Sequence, residues 1–137
     1  MSVEQYQVKL LGPAGAEAPG IFSFDRDAEY PNCKLLLVWS EEEIIGEGLD
    51  FFNATCRIRD QLEAMGWRPF CYGSSKNIYP SGMGRDMGRG LKAYKLELGR
   101  TPTDLVDIFE FGPDVEPSTV AEQRRFWEEW VRSIKQK

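Results

Sequence analysis

Arg85 and Arg89 stand four residues apart in residues 79–91 (YPSGMGRDMGRGL), a segment that also holds Asp86 and glycines at 82, 84, 88 and 90. Glycine loses more conformational freedom on folding than any other residue and packs no side chain, so such a cluster marks backbone that bends tightly or approaches a partner closely. Freed backbone N–H groups beside guanidinium groups are suited to cradling a phosphate or a carboxylate. Ser75, Lys76 and Tyr79 precede the cluster and would orient the anion, with Cys71 or Asp86 placed to supply any chemistry. The spacing matches neither GxxxxGKS/T nor a GxGxxG that follows a strand, so this is not a recognised phosphate loop. The competing reading is a long ordered loop whose arginines pair with Asp86 or with acidic segments elsewhere in the chain.

The rest of the composition narrows the chemistry. There is no histidine in the 137 residues, which removes Ser-His-Asp and Cys-His catalysis and histidine-ligated zinc. Cys33, Cys56 and Cys71 are widely spaced and odd in number, so they form neither a CxxC pair nor a complete disulfide framework. Asp25, Asp27 and Glu29 have a DxDxE rhythm without the glycine turn and distal glutamate of a calcium loop. Asp104, Asp107 and Glu110 fall on one short strand, whose alternation splits Asp107 from Glu110. No catalytic set, metal site or cofactor is expected.

Charge is distributed in blocks. Residues 1–53 carry ten acids and three bases, residues 54–100 nine bases and four acids, and residues 101–137 eight acids and five bases, for a net charge of −5. Either the basic middle folds against acidic flanks, or two faces of opposite sign are offered to partners. Trp67, Tyr72, Tyr79 and Tyr94 lie in the basic block, but the acidic total and the lack of any nucleic-acid-binding motif argue against nucleic acid.

These residues must be positioned by a small α+β domain, and the length fits a single unit, residues 1–137. Alternation of Tyr6, Val8 and Leu10 predicts a strand over 3–11. Residues 12–20 (GPAGAEAPG) read as a loop, 21–24 as a short strand, and the apolar run 34–39 as a central strand buried on both faces. Residues 40–48 (SEEEIIGEG) read as an acidic loop. Phe51, Phe52, Thr55, Ile58, Leu62 and Met65 share one stripe of a helix over about 49–65, ended by Gly66. Strands are expected at 67–72, 92–98 and 105–111, with a helical turn near 82–89. A second main helix, about 119–135, starts at a Thr119/Glu122 capping box. The expected fold is an antiparallel or mixed sheet of five to six strands with both helices on one face.

No motif assigns the chain to a family. In general character, as a small acidic domain lacking histidine and a catalytic constellation, it is similar to bacterial immunity proteins that neutralise toxins. That resemblance is one of type and carries no residue over. The expected function is a non-catalytic protein-binding module whose acidic surface (Asp25, Asp27, Glu29, Glu41, Glu42, Glu43 and Glu47) meets a basic partner such as a toxin domain. The alternative is a small-molecule or anion-binding protein, or a weak enzyme, using residues 74–90, with Lys76, Tyr79, Arg85, Asp86 and Arg89 as its binding set. Phe126 and Trp127 are adjacent and cannot both face inward, so a contact surface on the last helix, including a homodimer contact, is also expected. No stretch reaches the length and apolarity of a membrane span, and the N-terminal residues lack a signal pattern, so a cytoplasmic location is expected.

Overall fold

The computed structural model describes residues 3–28 and 31–135. Its first half is an antiparallel sheet. Strand β1 (Val3–Leu11) runs against β2 (Glu17–Asp25) in register from Val3↔Asp25 to Leu11↔Glu17. Only residues 12–16 form the turn, around a 3-10 segment Pro13–Gly15 in which Ala14 and Gly15 have positive φ. Residues 17–20 are therefore strand and not loop. Small side chains there predict a turn, but Gly20 lies in the packed interior, where an added Cβ would sit 3.1 Å from Leu37 Cδ1. Pro19 lies beyond the last residue of β2 paired with the next strand, where a missing N–H costs no ladder bond on that side.

Strand β3 (Cys33–Trp39) is buried on one face only: Cys33, Leu35, Leu37 and Trp39 point inward, and Lys34 and Val38 are exposed. The expected acidic loop at 40–48 is instead β4 (Glu42–Gly48), joined to β3 by Ser40 and Glu41. Both turn residues have positive φ, 49° and 65°, as a two-residue type I′ hairpin requires. Ile44 and Gly46 face the core, while Glu43, Ile45 and Glu47 face out.

Helix α1 (Phe51–Ala64) crosses the inner face of this sheet and buries Phe51, Phe52, Ala54, Ile58 and Leu62. Asp50 caps its start by accepting a 2.7 Å bond from Asn53 N, and Gly66, at φ 84°, ends it. Strand β5 (Arg68–Phe70) then pairs with β1, giving the order β4-β3-β2-β1-β5.

The second half builds a separate three-stranded antiparallel sheet, β6 (Ile78–Tyr79), β7 (Lys92–Lys95) and β8 (Leu105–Asp107), with a short helix α2 (Gly82–Asp86) between β6 and β7. Helix α3 (Val120–Lys135) closes the chain. Its capping box forms as expected, Glu122 N donating to Thr119 Oγ1 at 3.1 Å and Thr119 N to Glu122 Oε1 at 2.9 Å. Tyr6, Phe22, Phe24, Phe51 and Phe109 form one aromatic cluster that ties β8's end to the large sheet, with ring centroids 4.7–6.1 Å apart. The fold is α+β and antiparallel with two main helices, its strands divided into sheets of five and three. Among the described residues no helix is long and apolar enough to cross a membrane.

Candidate functional site

The glycine and arginine segment is turned inward, onto the start of α1. Arg85 Nε donates to Asp50 Oδ2 at 2.7 Å, and its guanidinium lies 5.5 Å from the centre of the Phe52 ring. Burial works against the Arg85 charge, but the hydrogen bond and attraction of Asp50 outweigh it and hold the pKa above the ordinary arginine value. Arg89 Nη1 donates to the carbonyls of Arg26 and Ala28, and Arg89 O accepts from Phe51 N at 2.7 Å. Gly90 has φ 71°, and a Cβ there would come within 2.9 Å of Asp50 Oδ1 and Phe52 N. One glycine of the cluster is thus needed because the loop backbone lies against a helix terminus.

The other members of the expected binding set are dispersed. Tyr79 is buried, stacked on Trp127 at 4.9 Å and edge-on to Phe52 at 5.1 Å. Lys76 is exposed with its Nζ 5.8 Å from the Phe126 ring centre, and Asp86 is exposed at the end of α2. Only Tyr79 and Arg85 meet, on the wall of a cavity of about 180 Å³ between α1, α2 and α3.

Ion pairing decides how much of the charge asymmetry is internal. Of five ion pairs among the described residues, only Arg85–Asp50 and Lys95–Asp114, each 2.7 Å, join the basic middle to an acidic flank. Glu41, Glu42, Glu43 and Glu47 are exposed and form no ion pair among the described residues. Asp25 accepts from Asp27 N at 3.0 Å in a local turn, and Glu29 lies outside the described residues. The four glutamates line the β3–β4 turn and the edge of the large sheet.

That edge borders a face with no helix on it. The strand register places Ile21 beside Val38 and Leu36 beside Ile45, a contiguous aliphatic patch with Ile21 38%, Val38 39% and Ile45 45% exposed. Glu43 continues the Val38 row and Glu47 pairs with Lys34. Toward β1 and β5 the same face dips into a groove of about 540 Å³ lined by Gln7, Lys9, Pro19, Ile21, Phe70 and Phe111. Phe111, 64% exposed, forms one of its sides.

Sequence reasoning missed a buried polar hub. Arg59 is 1% exposed; its Nη1 donates to Gln123 Oε1 at 2.6 Å and to Gly73 O at 3.1 Å, and its Nη2 to Ser118 O at 3.0 Å. Gln123 Nε2 donates in turn to the carbonyls of Gly73, Ser75 and Ile78 at 2.9–3.0 Å. This hub fastens α1 and α3 to the 73–78 segment. Its signal was present: Arg59 and Gln123 both fall on the apolar stripes of their helices.

The cysteines are held as thiols. Burial pushes the Cys71 pKa up, Arg59 opposing it, and burial does the same to Cys33 and Cys56. Above about pH 8.5 the unfolded thiols release protons that the folded ones keep, so stability falls as pH rises from there toward the folded values. Unfolding free energy measured from pH 8 to 9.5 is expected to decline, and less steeply in a Cys71→Ala variant. An identical slope in that variant would contradict the assignment.

No protein-family model matches the chain, and no curated protein matches it either.

Proposed function

We propose that this chain is a non-catalytic protein-binding module that docks a basic partner protein, of the toxin-domain kind, on the open face of its five-stranded sheet. One observation carries the reading: Ile21, Leu36, Val38 and Ile45 lie side by side on a face without a helix, rimmed by Glu41, Glu42, Glu43 and Glu47, which form no ion pair among the described residues. Antiparallel sheets that face water ordinarily present polar side chains there, and contiguous exposed apolar patches mark interaction sites. The glutamate rim selects the occupant. Were two copies to pair β4 with β4 about Ile45, Glu43 of each would stand opposite Glu47 of the other, and like charges directly opposed are repulsive. A cationic partner meets the same rim favourably, and complementary charge speeds its encounter.

Other features support an intramolecular use of the remaining candidates. Trp127 stacks on Tyr79, Trp130 Nε1 donates to Arg100 O at 3.0 Å, and Phe126 lies under Lys76, so the α3 aromatics are engaged within the fold. Arg85 and Arg89 serve to hold residues 82–90 against α1.

The test begins with capture and identification of a stoichiometric partner in the native host, followed by binding measurements on the two purified proteins. Val38→Asp and Ile45→Asp are each expected to weaken binding by about 30-fold, the size of an interface hot spot. Glu43→Lys/Glu47→Lys is expected to slow association about tenfold at low salt and less at high salt. Recovery of no stoichiometric partner, or unchanged binding in all three variants, would overturn the reading.

A further inference from the structure

We infer that the cavity between α1, α2 and α3 is a binding site for a small free oxyanion, phosphate-like or carboxylate. Its wall carries three guanidinium groups, Arg57, Arg85 and Arg124, against one carboxylate, Asp60. Arg85 is already matched by Asp50, which leaves a net charge of +1 on the wall. Glu47 borders the neighbouring recess that Arg57 and Asp60 share, but forms no ion pair with Arg57.

The second, independent observation lies directly behind that wall. Arg59 touches two lining residues, Gln123 at 2.6 Å and Cys56 Sγ at 4.0 Å, and every acceptor it has is neutral. Its Nε is buried with no hydrogen-bond partner. A buried charge without a counter-charge is costly, and folded chains ordinarily pair it. Arg59 would bring the local total to +2, and Glu63, whose Oε1 accepts from the lining residue Val120 N at 2.7 Å, lowers it to +1; among the described residues no carboxylate bonds Arg59 itself. An anion seated among Arg57, Arg85 and Arg124 supplies the balance through guanidinium forks, whose planar donors fit carboxylate and phosphate oxygens. Asn53, on the same wall, adds a neutral donor. The volume, about 180 Å³, suits a small anion and excludes a nucleotide-sized one. This site includes no residue of the open sheet face and does not depend on the protein-binding reading.

The full chain is titrated with inorganic phosphate and, separately, with malonate, against sodium chloride at matched ionic strength, following both thermal midpoint and heat of binding. Saturable stabilisation by either anion is expected, with the midpoint rising logarithmically once the anion exceeds its dissociation constant. Preference for phosphate over malonate identifies a tetrahedral anion as the better fit, and the reverse a carboxylate. Arg57→Gln/Arg124→Gln alters two exposed side chains that form no ion pair among the described residues, so its fold and its midpoint in chloride should match the unsubstituted protein. Its anion affinity is expected to fall by about tenfold or more, in line with the loss of charged hydrogen bonds. No saturable effect of either anion below about 20 mM, or equal binding by the double variant, would overturn the proposal.

Discussion

Arg59→Ala is expected to lower the unfolding free energy by about 2–4 kcal/mol, the cost of unsatisfied acceptors and a cavity offset in part by removal of a buried charge that has no counter-charge. The cost has two sources. Gln123 Oε1 and Ser118 O lose the donor that Arg59 gives them, and an unsatisfied buried acceptor costs about 1–3 kcal/mol. The truncation also leaves a void beside α1, α3 and the 73–78 segment. Arg59→Lys rescues little, because one ammonium cannot reproduce the planar fork that reaches Gln123, Gly73 and Ser118 together. Gln123→Leu acts on the same network, so its loss and that of Arg59→Ala should not add, and a double-mutant cycle should return a coupling of about 1 kcal/mol or more. Chemical denaturation measures the four proteins of the cycle and Arg59→Lys. An Arg59→Ala protein within about 1 kcal/mol of the unsubstituted one would show that the hub does not hold the helices.

Gly46→Ala is the second large expected effect, and it arises from geometry alone. Gly46 faces the core from β4, and a Cβ there would fall well inside van der Waals contact of the Ala54 carbonyl oxygen and within 2.8 Å of Ile58 Cγ1. The Ala54 oxygen is helix backbone, so it cannot rotate away. Helix α1 would have to lift from the sheet edge, and overpacking of this kind costs about 3 kcal/mol or more. Gly82→Ala is the control. It opens α2, has nothing within 4 Å of its added Cβ, and should be neutral or stabilising by a few tenths of a kcal/mol. Equal stability of the two variants would refute the close packing of α1 on β4.

The elements legible in the sequence were those whose signals are local. Helix α1 announces itself through the stripe Phe51, Phe52, Thr55, Ile58, Leu62 and the terminating Gly66, and α3 through its capping box. What misled were residues whose composition says turn while their register says strand. Gly20 is small because a Cβ there would meet Leu37, whereas Ala18 and Pro19 line the open groove, and SEEEIIGEG is acidic because one side of β4 faces water while Gly46 and Gly48 admit α1. The run Lys34–Trp39 reads as doubly buried, yet α1 covers one side only; the aliphatic residues left on the other form the exposed patch. Placement of the glycine and arginine loop was not legible, since Arg89 bonds carbonyls about 60 residues away and Arg85 bonds Asp50 across the fold. The cavity likewise assembles Arg57, Arg85 and Arg124 from three separate helices.

The central claim, that the open sheet face docks a basic protein, is tested most directly by light-induced crosslinking in the native host. A photoreactive phenylalanine analogue is placed at position 38, in the middle of the aliphatic patch, and in a second protein at position 125, on the exposed side of α3. The expected result is a single adduct of defined mass from position 38, containing a basic protein, with no such adduct from position 125. No adduct from position 38, or the same adduct at equal yield from position 125, would contradict the account.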